Sequence, residues 1–277
     1  MAKALGIIGN IKGKVGNVVG YNLTDSNNKQ TQGLRVYQPN VKNPKTAAQA
    51  EQRAKLAPIN ATYRALKMII DRGNEGLPYG NKSRLAWLKS AFMATEMPWI
   101  EKGTYVGYVV GCPITKGSLT SLMYEMAETS VEITVSGLAA ETPVSTIGAL
   151  STALLSHIST LKNGDQITIL TSISADDLTN FEIKSFVLDT TSTESISGFS
   201  AESGNLSYET GHSIGACSVI VSREGANGEH LRSSEMLLLS GGIITNAPYD
   251  SASKTAAIKS YMNSTAMNTD WAEESIQ

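Results

Sequence analysis

The residues able to do chemistry are few and scattered. His157, His212 and His230 share no motif, and the chain contains neither a His-Glu-x-x-His pair nor a Cys-x-x-Cys unit that would hold zinc. Cys112 and Cys217 fit no ligand spacing and read as small buried apolar residues rather than a bridge or metal site. Glycines at Gly6, Gly9, Gly13, Gly16 and Gly20 suggest a phosphate loop at first sight. The spacing excludes one: Gly9 stands only four residues before Gly13, and Val15 occupies the place of the metal-binding hydroxyl. The adjacent pair Asp176-Asp177 lacks the further oxygen ligands that calcium needs and reads as a solvated turn. Ser233-Ser234 lies in no Gly-x-Ser-x-Gly elbow and has no visible base. The residues therefore define no catalytic, cofactor-binding or metal set, and the expectation is a protein that is not an enzyme and carries no cofactor.

The elements behind them are easier to read. Asn43 to Arg72 has the signature of one long amphipathic helix: Asn43 as a cap, Pro44 at the first helical position, and Thr46 with Gln49 at capping-box spacing. Ala47, Ala50, Ala54, Ala57, Ala61, Ala65 and Met68 recur at three- and four-residue steps, a small-residue stripe that lets another element approach closely. Pro58 inside the pattern predicts a kink between Ala54 and Pro58. Lys82 to Thr95 predicts a second helix that buries Leu85, Leu88, Ala91 and Phe92, with Trp87 and Trp99 near its junction as core filler.

Before the long helix, Leu5 to Leu23 reads as a glycine-punctuated hairpin turning at Lys12-Gly13, with Leu34 and Val36 on a partner strand. Tyr105 to Gly111 is strand-like. After Val131 the period is two: Val131, Ile133 and Val135, then Ile167, Ile169 and Ile173, then Phe181, Ile183 and Val187, then Val219 and Val221, then Met236 to Leu239. This predicts half-buried antiparallel sheets. Ser145 to Lys162 interrupts them as a helix with Ile147, Leu150, Leu154, Ile158 and Leu161 inward, closed by Asn163-Gly164. Asp189 to Gly204 reads as a long exposed loop, and Gly225 to Gly228 as a turn. The chain ends in an arm: a short helix from Ser251 to Asn263, with Ile258, Tyr261, Met262 and Trp271 as anchors for docking on a neighbour.

Composition and charge bound the class. The 277 residues, 41% hydrophobic, suffice for a sizeable core. No apolar run approaches the roughly 18 residues of a membrane span, and the opening MAKALGIIGNIKGK lacks a secretory apolar region, so synthesis in the cytoplasm and no membrane association are expected. The net charge of −2 conceals a dipole. Residues 1–100 carry 15 Lys and Arg against 5 Asp and Glu, whereas residues 101–277 carry 8 against 20. Such an asymmetry suits contact with nucleic acid through the basic half, head-to-tail association of copies, or simply two independently solvated surfaces.

Gly13-Lys14-Val15-Gly16-Asn17-Val18-Val19-Gly20, then Asn43-Pro44-Lys45-Thr46 with Gln49 and Gln52-Arg53-Ala54-Lys55, then Lys116-Gly117-Ser118-Leu119, together resemble an uncharacterised family of Bacteroidetes genomes, over roughly residues 5–240. The resemblance implies a glycine-rich hairpin and helices ahead of an immunoglobulin- or fibronectin-like β-sandwich, and it implies no catalytic residues. The chain departs from that family in the helix near residue 150 and in an extension after about residue 242.

The expected fold is α+β: a basic hairpin and helical region over 1–103, an acidic immunoglobulin-like sandwich with a helical insertion over 104–245, and an arm over 246–277. The expected function is structural assembly, as a bacteriophage virion component of head, neck ring or tail that meets copies of itself or other virion proteins. The alternatives are a sandwich module that captures a surface glycan or receptor, and nucleic-acid binding through Lys42, Lys45, Arg53, Lys55, Arg64 and Lys67. Candidate interface residues are Gly13, Lys14 and Gly16 in the hairpin, Lys45, Arg53 and Arg64 on the long helix, and Tyr261 and Trp271 in the arm.

Overall fold

Apolar residues at alternate positions pair into antiparallel sheets, and the alanine-rich segments form helices, which makes the fold mixed α+β. The computed structural model describes residues 13–24, 30–37, 46–94, 97–103, 110–175, 178–225, 228–240 and 249–262. In chain order the elements are β1 (Gly13–Val15), β2 (Val18–Thr24), β3 (Gln30–Val36), α1 (Ala47–Ala65), α2 (Lys67–Ile70), α3 (Asn81–Phe92), β4 (Tyr124–Met126) and β5 (Ser130–Thr134). There follow α4 (Ile147–His157), β6 (Gln166–Ser172), β7 (Phe181–Val187), β8 (Phe199–Glu202), β9 (Asn205–Glu209), β10 (Ala216–Glu224), β11 (His230–Arg232), β12 (Leu238–Leu239) and α5 (Ser251–Met262).

The chain divides into two compact units, 1–45 and 46–277. The first contains a three-stranded antiparallel sheet, β1-β2-β3. Its first hairpin turns at Gly16-Asn17, between the paired Val15 and Val18, and not at Lys12-Gly13. Gly16 has a φ of +60°, a left-handed conformation that glycine adopts without steric cost. Val18 pairs with Val36 and Gly20 with Leu34, so Val18, Leu34 and Val36 share one face, and all three are exposed.

In the second unit two sheets share a core. One runs β4-β5-β9-β8, the other β11-β10-β6-β7 with β12 also on β10. Val131, Ile133, Leu206 and Tyr208 from the first sheet meet Ile167, Ile169, Phe186, Val219 and Val221 from the second, with Leu150 and Leu154 of α4 closing one side. A second core lies on the other side of β6 and β10: Leu170 and Ile220 pack with Ile59 of α1, Trp87 and Ala91 of α3, and Leu66 and Ile70. β6 and β10 are therefore covered on both faces, which corrects the half-buried reading. The same fact bears on the expected division at 103/104, because helix and sheet residues from either side of it share this second core. Phe181 and Ile183 lie on the face of Leu170, while Phe186, opposite Ile167, is the β7 residue that enters the sheet-to-sheet core. Ile173 falls beyond the strand and is exposed.

The helices follow their caps. Thr46 Oγ1 accepts from Gln49 N at 3.3 Å and starts α1; Asn43 and Pro44 lie outside the described residues. The helix runs through Pro58 without interruption, and the break comes at Leu66 (φ −109°, ψ 19°). Thr62 Oγ1 donates to Pro58 O at 2.9 Å and accepts from Val110 N at 3.2 Å, which ties that turn into the core. Ala50 and Ala54 of the alanine stripe are buried, whereas Met68 is exposed. On α3 it is Trp87 that turns inward and Leu85 that faces solvent. α4 begins at Thr146, whose Oγ1 accepts from Ala149 N at 3.2 Å, and ends at His157, before the predicted Lys162.

The terminal helix is not free. Ile258 and Met262 of α5 pack on Ala50 of α1, with Ala47 and Tyr261 beside them. Glu51 pairs with Lys254 at 3.1 Å and Lys55 at 3.2 Å, both ammonium groups stand over the Trp99 ring, and Ser260 Oγ accepts from Lys102 N at 2.8 Å. The anchors at Ile258, Tyr261 and Met262, expected to dock on a neighbour, dock on their own chain because the alanine stripe offers them a close seat.

Candidate functional site

Asp71 to Gly80 connects α2 to α3, and its position is set by a buried carboxylate at one end and a clamp at the other. Asp71 is buried and accepts from Tyr63 Oη at 2.8 Å and from Lys67 Nζ. Burial works against its charge, but the bonds from Lys67 and Tyr63 hold its carboxyl below the ordinary range. Ser83 Oγ donates to Ile70 O at 2.7 Å and receives Asn74 N at 3.2 Å. Glu75 Oε2 then accepts from Ser118 N at 2.8 Å and Arg232 N at 3.1 Å, and Oε1 accepts from Ser118 Oγ at 2.8 Å. Burial again opposes the charge, while these bonds lower the carboxyl's proton affinity.

Lys116-Gly117-Ser118-Leu119 forms the centre of this clamp. A Cβ on Gly117 would come within 2.1 Å of the Arg232 carbonyl oxygen, so only glycine allows this approach. Gly117 N donates to Ser234 Oγ at 2.9 Å, and Ser234 Oγ donates to Gly117 O at 2.8 Å. Ser233 Oγ accepts from Val221 N at 3.0 Å. Ser234 thus spends its hydroxyl on the backbone.

Between this loop and the β10-β11 hairpin lies a cleft of about 810 Å³, lined by Arg72, Tyr79, Gln166, Arg223, His230 and Arg232 among others. Arg223 is committed elsewhere: its Nε donates to Asp165 Oδ1 at 2.6 Å, and Nη2 donates to Oδ2 at 2.7 Å and to Thr160 O at 3.0 Å. The Asp165 partnership holds the Arg223 guanidinium above its ordinary proton affinity. Arg232 is pushed the other way, by burial first and then by the charge of Arg72. The Arg72 guanidinium lies 5.1 Å from the Tyr79 ring centre.

A second groove, of about 490 Å³, runs along α4. Its wall is rich in hydroxyls, from Thr146, Thr152, Ser156 and Thr190 to Thr193. The segment 189–204, expected as a long exposed loop or hairpin tip, is exposed or half-buried throughout and ends in the β8-β9 hairpin, and its backbone is tied to the start of α4 and the residues before it: Ile147 N donates to Glu194 O at 2.9 Å, Ile196 N to Ser145 O at 3.0 Å, and Asp189 N to Ser151 Oγ at 2.9 Å.

The remaining chemically capable residues are dispersed. His157 and His230 are exposed, and His212 Nε2 lies 3.0 Å from Ser172 O. Cys112 and Cys217 are free and buried, and burial pushes their thiols up to about 11 and about 12. Glu235 is buried with Oε1 lacking a hydrogen-bond partner, and burial raises its carboxyl despite bonds from Ser121 and Ser233. Among the described residues no group of three His, Cys, Asp or Glu is placed to hold a metal ion, and no helix is long and apolar enough to cross a membrane.

The interface candidates are not brought to one place. Gly13, Lys14 and Gly16 are exposed in the first unit, with Lys14 Nζ 3.7 Å from the Tyr37 ring centre. Arg53 and Arg64 lie on α1, Arg64 exposed in its last turn, and Tyr261 is half-buried on α5. Lys45, Trp271 and Asp176-Asp177 lie outside the described residues. Of the basic residues proposed to meet nucleic acid, Lys55 and Lys67 are paired with Glu51 and Asp71. Arg72 with Arg232 was not singled out from the sequence, and no local pattern could have found a pair separated by 160 positions.

No protein-family model matches the chain, and no curated protein or solved structure is significantly similar to it.

Proposed function

We propose that the protein is a non-enzymatic assembly component, a bacteriophage virion subunit of head, neck ring or tail whose copies associate head to tail. The observation that carries this reading is the first unit. Its three-stranded sheet exposes Val18, Leu34 and Val36 on one face, an arrangement that a small sheet in water tolerates poorly without a cover. Residues 1–45 hold seven Lys and Arg against one acid, net +6, whereas residues 46–277 hold 16 against 24, net −8. Opposite charge steers the basic unit of one copy toward the acidic unit of the next.

The larger unit reads best as an immunoglobulin-like sandwich. The order β4-β5-β9-β8 with β7-β6-β10-β11 has the pattern ABED with C′CFG, and α4 falls in the connection between the second and third strands. This supports the resemblance to the Bacteroidetes family, in which helices precede such a sandwich. Light scattering on the full chain at low and high salt tests the assembly reading. A multimer that dissociates at 1 M salt, where screening shortens to about 3 Å, is expected; a monomer under all conditions overturns it.

The hydroxyl-lined groove along α4 favours a second reading, capture of a surface glycan. Glycan-array binding that is lost on Thr191→Val and Thr152→Val would establish it, and an array without hits would remove it.

A further inference from the structure

The cleft between the 71–80 loop and the β10-β11 hairpin brings Arg72 and Arg232 together from segments 160 residues apart. Two of the nearby carboxylates are engaged elsewhere. Glu75 spends its oxygens on Ser118 and on the backbone N–H of Arg232, and Asp165 spends both of its own on Arg223. The ion pairs of the described residues leave the Arg72 and Arg232 guanidiniums without a carboxylate. Two guanidiniums on the wall of one cleft repel, and a guanidinium cannot relieve that repulsion by losing its proton near neutral pH. A bound anion would relieve it, and guanidinium forks match the geometry of carboxylate and phosphate oxygens.

We propose that this cleft is a binding site for a small ligand bearing a carboxylate or phosphate group, with Arg72 and Arg232 as its cationic wall and Tyr79 and His230 beside them. Its volume of about 810 Å³ is that of a small-molecule site. The Tyr79 ring holds the Arg72 guanidinium by a cation–π contact, and the Glu75 clamp fixes the backbone of Arg232. Both arginines are thereby positioned before a ligand arrives. Glu224 and Glu229 line the same cleft, which favours an anion of one or two charges over a polyanion such as nucleic acid.

The site goes beyond the assembly reading and stands independently of it, since its test does not depend on oligomeric mass. Calorimetric titration of the full chain with inorganic phosphate, and separately with glutarate, at matched ionic strength should give saturable binding of at least one. Arg72→Gln and Arg232→Gln should each weaken it tenfold or more. Lys89→Gln removes the same charge from an exposed position on α3 outside the cleft and should leave binding unchanged. Because Arg72 is exposed, its substitution keeps the fold, and circular dichroism verifies this. Phosphate binding alone assigns a phosphate ligand; glutarate binding, alone or in addition, assigns a carboxylate. Absence of saturable binding by either anion, or an equal loss in Lys89→Gln, overturns the site.

Discussion

β10 and the sheet of the first unit use the same residue types to opposite ends. β10 buries its first six residues, Ala216 to Val221, because the other sheet covers one face and α1 and α3 cover the other. β2 and β3 present Val18, Leu34 and Val36 to solvent. An apolar strand thus stabilises the monomer only where the chain supplies a cover for it. Where it does not, the same side chains are a surface for something else. The first region explains the fold, and the second motivates the assembly reading.

Changes at the doubly covered strand should have the largest effects. Ile220→Ala removes a side chain that ties the helices to the sheet and should cost about 3 kcal/mol in chemical denaturation. A loss below about 1 kcal/mol would mean that the helical layer packs loosely, and the contrast with the first unit would weaken. Gly117→Ala drives a Cβ against the Arg232 carbonyl and should cost about 2 kcal/mol, with hydrogen exchange rising at Ser118 and Arg232.

Asp165→Asn removes one charge of a pair in which Asp165 is wholly buried, and should cost about 2 kcal/mol by the same denaturation measurement. Glu235→Gln should act in the opposite sense and depend on pH. A carboxyl whose folded proton affinity is raised favours folding while protonated and disfavours it once ionised, so that stability is lost as pH rises above the ordinary value of 4.5 through the raised one. The variant should therefore melt higher than the parent at pH 7 and the same as the parent at pH 4. Equal melting temperatures at both would show that the unpartnered oxygen is solvated.

Val36→Ser should have the smallest effect on folding, within about 0.5 kcal/mol, because the residue is 73% exposed. Its effect should fall on assembly: multimers seen at low salt should weaken. Unchanged multimers would separate self-association from this sheet face.

The local elements were legible because their causes are local. The pair Thr46 and Gln49 belongs to the start signal of α1, although the cap is Thr46 and not Asn43; Thr146 lies one residue from the predicted start of α4, and the alternation at Val131 to Val135 locates β5. The start of α5 at Ser251 is where the sequence places it. The misreadings have one physical origin, burial by partners distant in sequence. Period two in β6 and β10 indicated one buried face, because nothing in those strands announces the helices that cover the other. Leu85 looked like a core residue by type, but α3 is rotated so that Trp87 fills the space beside Tyr63, their ring centres 6.3 Å apart. The segment 189–204 is exposed, as its composition suggests, but only the fold shows its backbone bonded to α4.

The sequence by itself determined the helix caps, the strand alternation, the absence of a recognised catalytic motif and the separation of charge, since each depends on residues within a turn or two or on simple counts. Only the tertiary structure decided the double cover of β6 and β10, the seating of α5 on α1, and the meeting of Arg72 with Arg232. These depend on which surfaces exclude water from one another and which charges are left without partners, and both are set by contacts across more than a hundred residues of chain.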